Sequence, residues 1–357
     1  MTDYPFAQRF IPNPDPTLTQ WVGAGKTPEK LPATDNNGSK VIHWGNGQVY
    51  RPPGEIGPAI LRPDGTVFAT GAACDILGPP SDPNACTIFS PVAHTAILDL
   101  GFGGPRAATP SGPWTAGPDF PTGQGAGDSW ANLLPNGNVL VETNPPGMSK
   151  DPRARAQARL NSIQNRTIHP VAPAPGFAAA QTACPPTDLW SFYEFDGSSL
   201  IPEPNADFCG GQASTLLLPT GEVMLNGQAV YKTTGSFENA WRPTIKAAPR
   251  DVAPGGSYEI SGTQLNGLSQ ANAFGDEFQV ATNFPLVRIT NSKTGDVTYA
   301  TTHAFSTMGV ATGSRIVSAR FDVPTTIERG NSTLEVVANG IPSQPWYITV
   351  GVEAASR

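Results

Sequence analysis

The chain reads as an all-β protein, a partial β-propeller followed by a β-sandwich. Three observations predict this. Gly and Pro supply 38 residues each of 357, roughly a fifth of the chain against about 12 % on average, so almost no stretch escapes a helix breaker. One strand–turn–strand signature recurs three times before residue 240. Beyond it the pattern changes to shorter, alternating strands. A hydrophobic fraction of 38 %, set in short runs between the Gly and Pro, supplies a core and argues against a disordered chain. Charged residues are only 14 % and the formal net charge is −7, a balance that disfavours nucleic acid as the main partner. No apolar run approaches the ~18–20 residues of a membrane-spanning helix.

The recurring signature is an apolar strand, Pro-x-Gly, and a second apolar strand. It reads Ala59-Ile-Leu-Arg-Pro-Asp-Gly-Thr-Val-Phe-Ala, Ala131-Asn-Leu-Leu-Pro-Asn-Gly-Asn-Val-Leu-Val and Thr215-Leu-Leu-Leu-Pro-Thr-Gly-Glu-Val-Met-Leu. Pro63, Pro135 and Pro219 pre-set φ for a tight turn, and Gly65, Gly137 and Gly221 accept the positive φ that closes it. Nearly continuous apolar strands are buried on both faces, which marks these hairpins as the inner strands of a repeated unit. Outer strands follow at Thr87–Ser90, Ala96–Asp99 and Trp114, and again at Leu189–Phe195 and Leu200–Pro202. Arg9-Phe-Ile and Trp21-Val-Gly read as outer strands of a further unit. The repeat is longer than the ~50 residues of a kelch blade, so its loops carry insertions. Little more than three blades precede residue 240, fewer than the ~4–8 of a closed propeller. The open edges then belong to a longer propeller or pack against a partner chain, by self-association or in a larger assembly.

The predicted domains are blades over 1–240 and a sandwich over 243–351. Strands at Ser257–Gly262, Leu286–Thr290, Asp296–Ala300, Ile316–Val323, Leu334–Asn339 and Trp346–Val350 suit an immunoglobulin-like fold. The four cysteines, Cys74, Cys86, Cys184 and Cys209, have no C-x-x-C spacing, and with four histidines in all a zinc ribbon is poorly supported. Low charge and loop cysteines suit an exported protein, extracellular or periplasmic. The first residues are not a signal peptide, so either the chain is a mature or shortened form or the cysteines are reduced. Residues 150–166 form the one predicted helix, with Asp151 as cap and Pro152 in its first turn. Its Arg153, Arg155 and Arg159 recruit an anionic ligand or simply solvate a surface insertion.

Blades followed by Gly262-Thr-Gln-Leu-Asn-Gly-Leu-Ser, Asn283-Phe-Pro-Leu-Val-Arg, Thr302-His-Ala-Phe-Ser-Thr-Met-Gly-Val-Ala-Thr-Gly and Val337-Ala-Asn-Gly-Ile-Pro-Ser resemble the galactose oxidase and glyoxal oxidase family. That family joins a kelch propeller to an early set domain, and the resemblance covers essentially the whole chain apart from the family's leading blades. It implies a copper-radical oxidase of primary alcohols or aldehydes, its copper held by two tyrosines and two histidines. One Tyr-His pair of that set falls at Gly211 and Gln212, which lack the imidazole and phenolate donors, while His303 matches the remaining histidine. With one ligand of four kept, the expectation is a degenerate copper site and no cofactor, with copper only if the oxidase chemistry survives.

Strand direction places the 2–3 and 4–1 loops of every blade on one face. All four cysteines fall there, which makes Cys74–Cys86 and Cys184–Cys209 the natural pairs, each worth ~3 kcal/mol in the chain-entropy picture. Glu55, Asp128 and Gln212 begin inner strands at equivalent places on that face and surround the channel mouth. They form a ligand site or cap the strands and hold channel water. The preferred expectation is a non-catalytic, exported protein whose loop face binds carbohydrate or a cell-surface partner. The alternatives are a copper-radical oxidoreductase and a scaffold subunit.

Overall fold

A computed structural model describes residues 6–11, 20–26, 42–43, 49–50, 55–77, 86–99, 114–121, 124–126, 129–143, 189–204, 208–209, 213–227, 229–275, 278–281 and 285–351. These residues are all-β, a partial propeller followed by a sandwich, with a single 3-10 turn at Asn239–Trp241. Among them no helix is long and apolar enough to cross a membrane. The helix expected at 150–166 lies outside the described residues.

At the N-terminus β1 (Phe6–Ile11) pairs with β2 (Gln20–Lys26), and β3 (Ile42–His43) with β4 (Val49–Tyr50), both antiparallel. The first full blade is the four-stranded antiparallel sheet β5 (Glu55–Leu61), β6 (Thr66–Leu77), β7 (Cys86–Asp99) and β8 (Trp114–Ala116). A single long β7 replaces the two short strands expected from sequence, because β6 continues past the core and keeps pairing with it through a series of bulges. The second blade is β9 (Trp130–Leu133), β10 (Val139–Thr143), β11 (Leu189–Phe195) and β12 (Leu200–Pro202), with β13 (Phe208–Cys209) beside β11. The third is β14 (Thr215–Leu217), β15 (Val223–Leu225) and β16 (Ala229–Tyr231).

The Pro-x-Gly signature makes the same turn three times. Arg62 N donates to Thr66 O at 2.7 Å and Gly65 N to Arg62 O at 3.0 Å; Leu134 with Gly137 and Leu218 with Gly221 repeat the pair of bonds. All three glycines sit at φ +86°, which a β-carbon disfavours. The strands they join are apolar because both faces are covered: every residue of β10 is buried. Phe68 of the first blade stacks on Phe195 of the second with ring centroids 4.3 Å apart. Arg62 seals that seam from the turn end, donating from Nε to Gly137 O at 3.1 Å and lying 5.3 Å from the Phe195 centroid. Between blades two and three, the buried Glu194 accepts from the Tyr231 hydroxyl at 2.8 Å and from Asn136 Nδ2 at 3.0 Å.

After the third blade, β17 (Thr244–Ala247), β18 (Asp251–Val252) and β19 (Ser257–Thr263) enter the sandwich. The next two strands, β20 (Ala271–Phe274) and β21 (Phe278–Ala281), leave it. The chain then returns through β22 (Leu286–Asn291), β23 (Val297–His303), β24 (Val317–Asp322), β25 (Gly330–Ala338), β26 (Ile341–Pro342) and β27 (Trp346–Val350). Strict alternation in β22 puts Val287 and Ile289 into a core with Ile260, Phe321, Leu334 and Val336. The six sequence-predicted strands are all present; β20 and β21 went unforeseen.

That hairpin organises the molecule. β20 pairs antiparallel with β9, Asn272 opposite Asn132 and Phe274 opposite Trp130, and it also lies against β5 and β14. It therefore touches the inner strand of each of the three blades and fills the channel between them. Its entrance is fixed by the sandwich: Asn339 Oδ1 accepts from Leu268 N at 2.9 Å and Ser269 N at 3.3 Å, just ahead of β20. Next to it, Gly340 packs on the turn end of the blades. A β-carbon there would lie 2.6 Å from the Gly221 Cα, so only a glycine permits this approach. The sandwich thus covers the turn end of the propeller, and β20 runs toward the opposite, loop end, where Gly275 N donates to Ser129 O at 2.9 Å.

Candidate functional site at the loop end of the channel

The loop end is built where β9 starts, β10 ends and the chain approaches β14. Glu142 lies near the end of β10. Cross-strand register puts it on the same sheet face as Trp130, Asn132 and Asn272, the face that meets blade three. Its side chain is wholly buried. Oε1 accepts from Ala213 N at 2.7 Å, a bond from blade two to the segment entering blade three. Oε2 has no hydrogen-bond partner among the described residues. Burial pushes the carboxyl up to about 8 from an ordinary 4.5, outweighing the opposing hydrogen bonds from the Ala213 and Trp130 backbone. Burial thus favours the uncharged carboxylic acid at neutral pH, with Oε1 held by the Ala213 amide and Oε2 unpartnered among the described residues.

Two further buried oxygens are idle nearby in the fold: Ser129 Oγ, one residue before β9, and Asn272 Oδ1 on the hairpin. Asn272 Nδ2 itself is engaged, donating to Asn132 Oδ1 and to Thr215 O at 3.0 Å. On the other face of the sheet the Thr143 hydroxyl lies 3.0 Å from Gln124 Oε1 and 3.0 Å from Ser191 O. Gln124 is tied to blade one through its carbonyl, which accepts from Ala93 N at 3.0 Å. The Trp130 and Phe274 rings close the site toward the hairpin, centroids 5.0 Å apart. Buried polar groups without partners are rare in folded proteins, and among the described residues Glu142 Oε2 and Ser129 Oγ both stand at the loop end, with Asn272 Oδ1 on the strand that runs toward it.

The sequence-predicted residues distribute as follows. Glu55 opens β5 opposite Ala72, but its side chain lies outside the described residues, as do Asp128, Gln212, Arg153, Arg155, Arg159 and Cys184. The chain neighbours of two of them are described: Ser129 follows Asp128, and Ala213, which follows Gln212, donates to Glu142. In the backbone ladders Cys74 stands opposite Phe89, Cys86 opposite Leu77 and Cys209 opposite Leu189; the side chains of these three cysteines are outside the described residues. Glu142 was missed by the sequence reading. The signal that points to it is a single carboxylate in the otherwise apolar run Val139-Leu-Val-Glu-Thr.

His303 ends β23, half-exposed on the sandwich, with Nε2 3.0 Å from Asp322 Oδ1. Hydrogen bonds from Ser257 and His303 hold the Asp322 carboxyl below its ordinary range. Among the described residues no three His, Cys, Asp or Glu side chains gather as a metal-binding group. The donors do not fit the copper that the family resemblance implies: the imidazole is paired with a carboxylate, and positions 211 and 212 carry a glycine and an amide. No family model and no curated protein matches the chain.

Proposed function

We propose that this is an exported, galactose oxidase-like kelch protein with a degenerate copper site, whose loop end binds a neutral, polyhydroxylated ligand of the carbohydrate class. One observation carries this reading: the Glu142 carboxyl is wholly buried, one of its oxygens has no partner among the described residues, and burial favours its uncharged form. A neutral acid supplies one O–H donor and one acceptor, the pairing that a sugar hydroxyl complements, and it adds no charge that would select an ion. Ser129, Gln124 and Thr143 bring only uncharged groups to the same end.

Calorimetric titration with neutral oligosaccharides tests it. Saturable binding is expected, weakened tenfold or more by Glu142→Leu and kept within about threefold by Glu142→Gln. Absence of binding across gluco-, galacto- and manno-oligosaccharides, or peroxide release from a primary alcohol by copper-loaded protein, would overturn the reading in favour of the oxidase.

A second reading, a scaffold subunit, is favoured by blade three. Leu216, Met224 and Val230 form one cross-strand row on its far face, and Val230 is 45 % exposed. In a closed propeller the next blade covers such a row. Native mass measurement should then give an assembly larger than one chain, reverting to a monomer on Val230→Lys.

A further inference from the structure

A second cleft lies far from the loop end, where the 3-10 turn after blade three meets β17 and β27. It is about 220 Å³ and lined by Asn239, Arg242, Thr244, Gln344 and Trp346, with Pro and Ile side chains between them. No acidic residue lines it. Arg242 is fixed in place: Nε donates to Asn239 Oδ1 at 3.1 Å, one terminal nitrogen donates to Pro342 O at 2.6 Å, and the guanidinium lies 4.5 Å from the Phe237 ring centroid. Its other terminal nitrogen has no partner among the described residues. Trp346 is also held, donating from Nε1 to Pro249 O at 3.2 Å, with the Arg250 guanidinium 4.0 Å from the ring centroid.

We propose that this cleft binds a small carboxylate-bearing ring, the chemistry of a sugar acid. The carboxylate meets the remaining terminal nitrogen of the Arg242 guanidinium, which carries two N–H donors and the full positive charge of the group. The ring lies beside the part of Trp346 that lines the cleft, and its hydroxyls reach the amides of Asn239 and Gln344 and the hydroxyl of Thr244. The net charge of −7 does not oppose this. At 0.1 M salt the screening length is about 10 Å, so dispersed surface carboxylates are damped while a guanidinium in contact is not. Among the described residues Arg242 is the one charged residue that lines the cleft. This site is independent of the loop end and of the reading given to it.

Titration of the full chain with D-glucuronate, followed by tryptophan fluorescence, tests the proposal against D-glucose, which differs at a single carbon. Glucuronate should bind saturably and at least tenfold more tightly than glucose. Arg242→Gln should abolish that preference, but Arg242 also braces the Pro342 carbonyl and its loss alone is ambiguous. Gln344→Glu is the cleaner variant, because Gln344 is exposed and the change places a carboxylate in the cleft without touching the bonds of Arg242. It should weaken glucuronate tenfold or more at an unchanged melting temperature. Equal affinity for the two sugars, no binding of either, or a Gln344→Glu protein that binds glucuronate as wild type does would overturn the proposal.

Discussion

Glu142→Gln should flatten part of the pH dependence of stability, and above pH 8 the variant should be the more stable protein. Proton linkage sets this direction. In the unfolded chain the carboxyl titrates near its ordinary 4.5, whereas burial raises it to about 8 in the fold. The folded state therefore holds the proton more tightly. Its contribution is fully present below pH 4.5, declines as pH rises, and is lost once the pH passes the folded value. Every tenfold gain in proton affinity is worth about 1.4 kcal/mol, so the swing is on the order of a few kcal/mol, a large share of the stability of an ordinary domain. Glutamine keeps a carbonyl oxygen for the Ala213 amide and never ionises. Denaturant melts of both proteins from pH 5 to 9 check this: the difference between them should grow in favour of Gln and level off above pH 8. Parallel curves would mean that Glu142 is ionised in the fold, and the neutral-ligand reading would fall with it.

What the sequence discloses and what it hides separate by distance along the chain. The turns at Pro63, Pro135 and Pro219 are local chemistry, a fixed φ followed by a permitted positive one, and the fold reproduces them to the same φ at each glycine. The strands of the sandwich are equally local, because one face is wet and alternation shows. β20 and β21 have no such mark. Ala271-Asn-Ala-Phe is buried along nearly its whole length in the channel, so it does not alternate, and its partner β9 lies 140 residues earlier at the Asn272–Asn132 bond. Glu142 is hidden for the same reason. In a strand a lone carboxylate reads as a solvent-facing residue, and only the Ala213 amide, 71 residues away, reveals that it faces another blade. The polar positions expected at the channel mouth lie outside the described residues; of their chain neighbours, Ala213, which follows Gln212, donates to Glu142. The lone carboxylate in Val139-Leu-Val-Glu-Thr marks Glu142 as unusual, but local pattern does not say whether it faces solvent or another blade.

Asn272→Asp should be the most damaging single-atom change in the channel. Asn272 is 1 % exposed, and its Nδ2 donates to Asn132 Oδ1 and to the Thr215 carbonyl, joining the hairpin, blade two and blade three at one point. Asn132 completes the set by donating from its own Nδ2 to the Thr215 hydroxyl. Aspartate removes both donors and sets a carboxylate oxygen against two acceptors. Either the charge stays, buried and unpaired, at a cost of about 3–5 kcal/mol, or the group takes up a proton and satisfies one acceptor instead of two. The second route makes the loss smaller at acid pH, so the variant should weaken as pH rises through the neutral range. Asn272→Ala, which leaves two buried acceptors short of a donor without adding charge, should cost about 1–3 kcal/mol at every pH. Because the hairpin carries its seating to the loop end through the bond from Gly275 N to Ser129 O, exchange of the Gly275 amide with solvent should quicken in both variants. If Asn272→Asp melts within about 1 kcal/mol of wild type and the Gly275 amide keeps its protection, the hairpin is held by its apolar contacts alone, and the loop end is not coupled to the sandwich through Asn272.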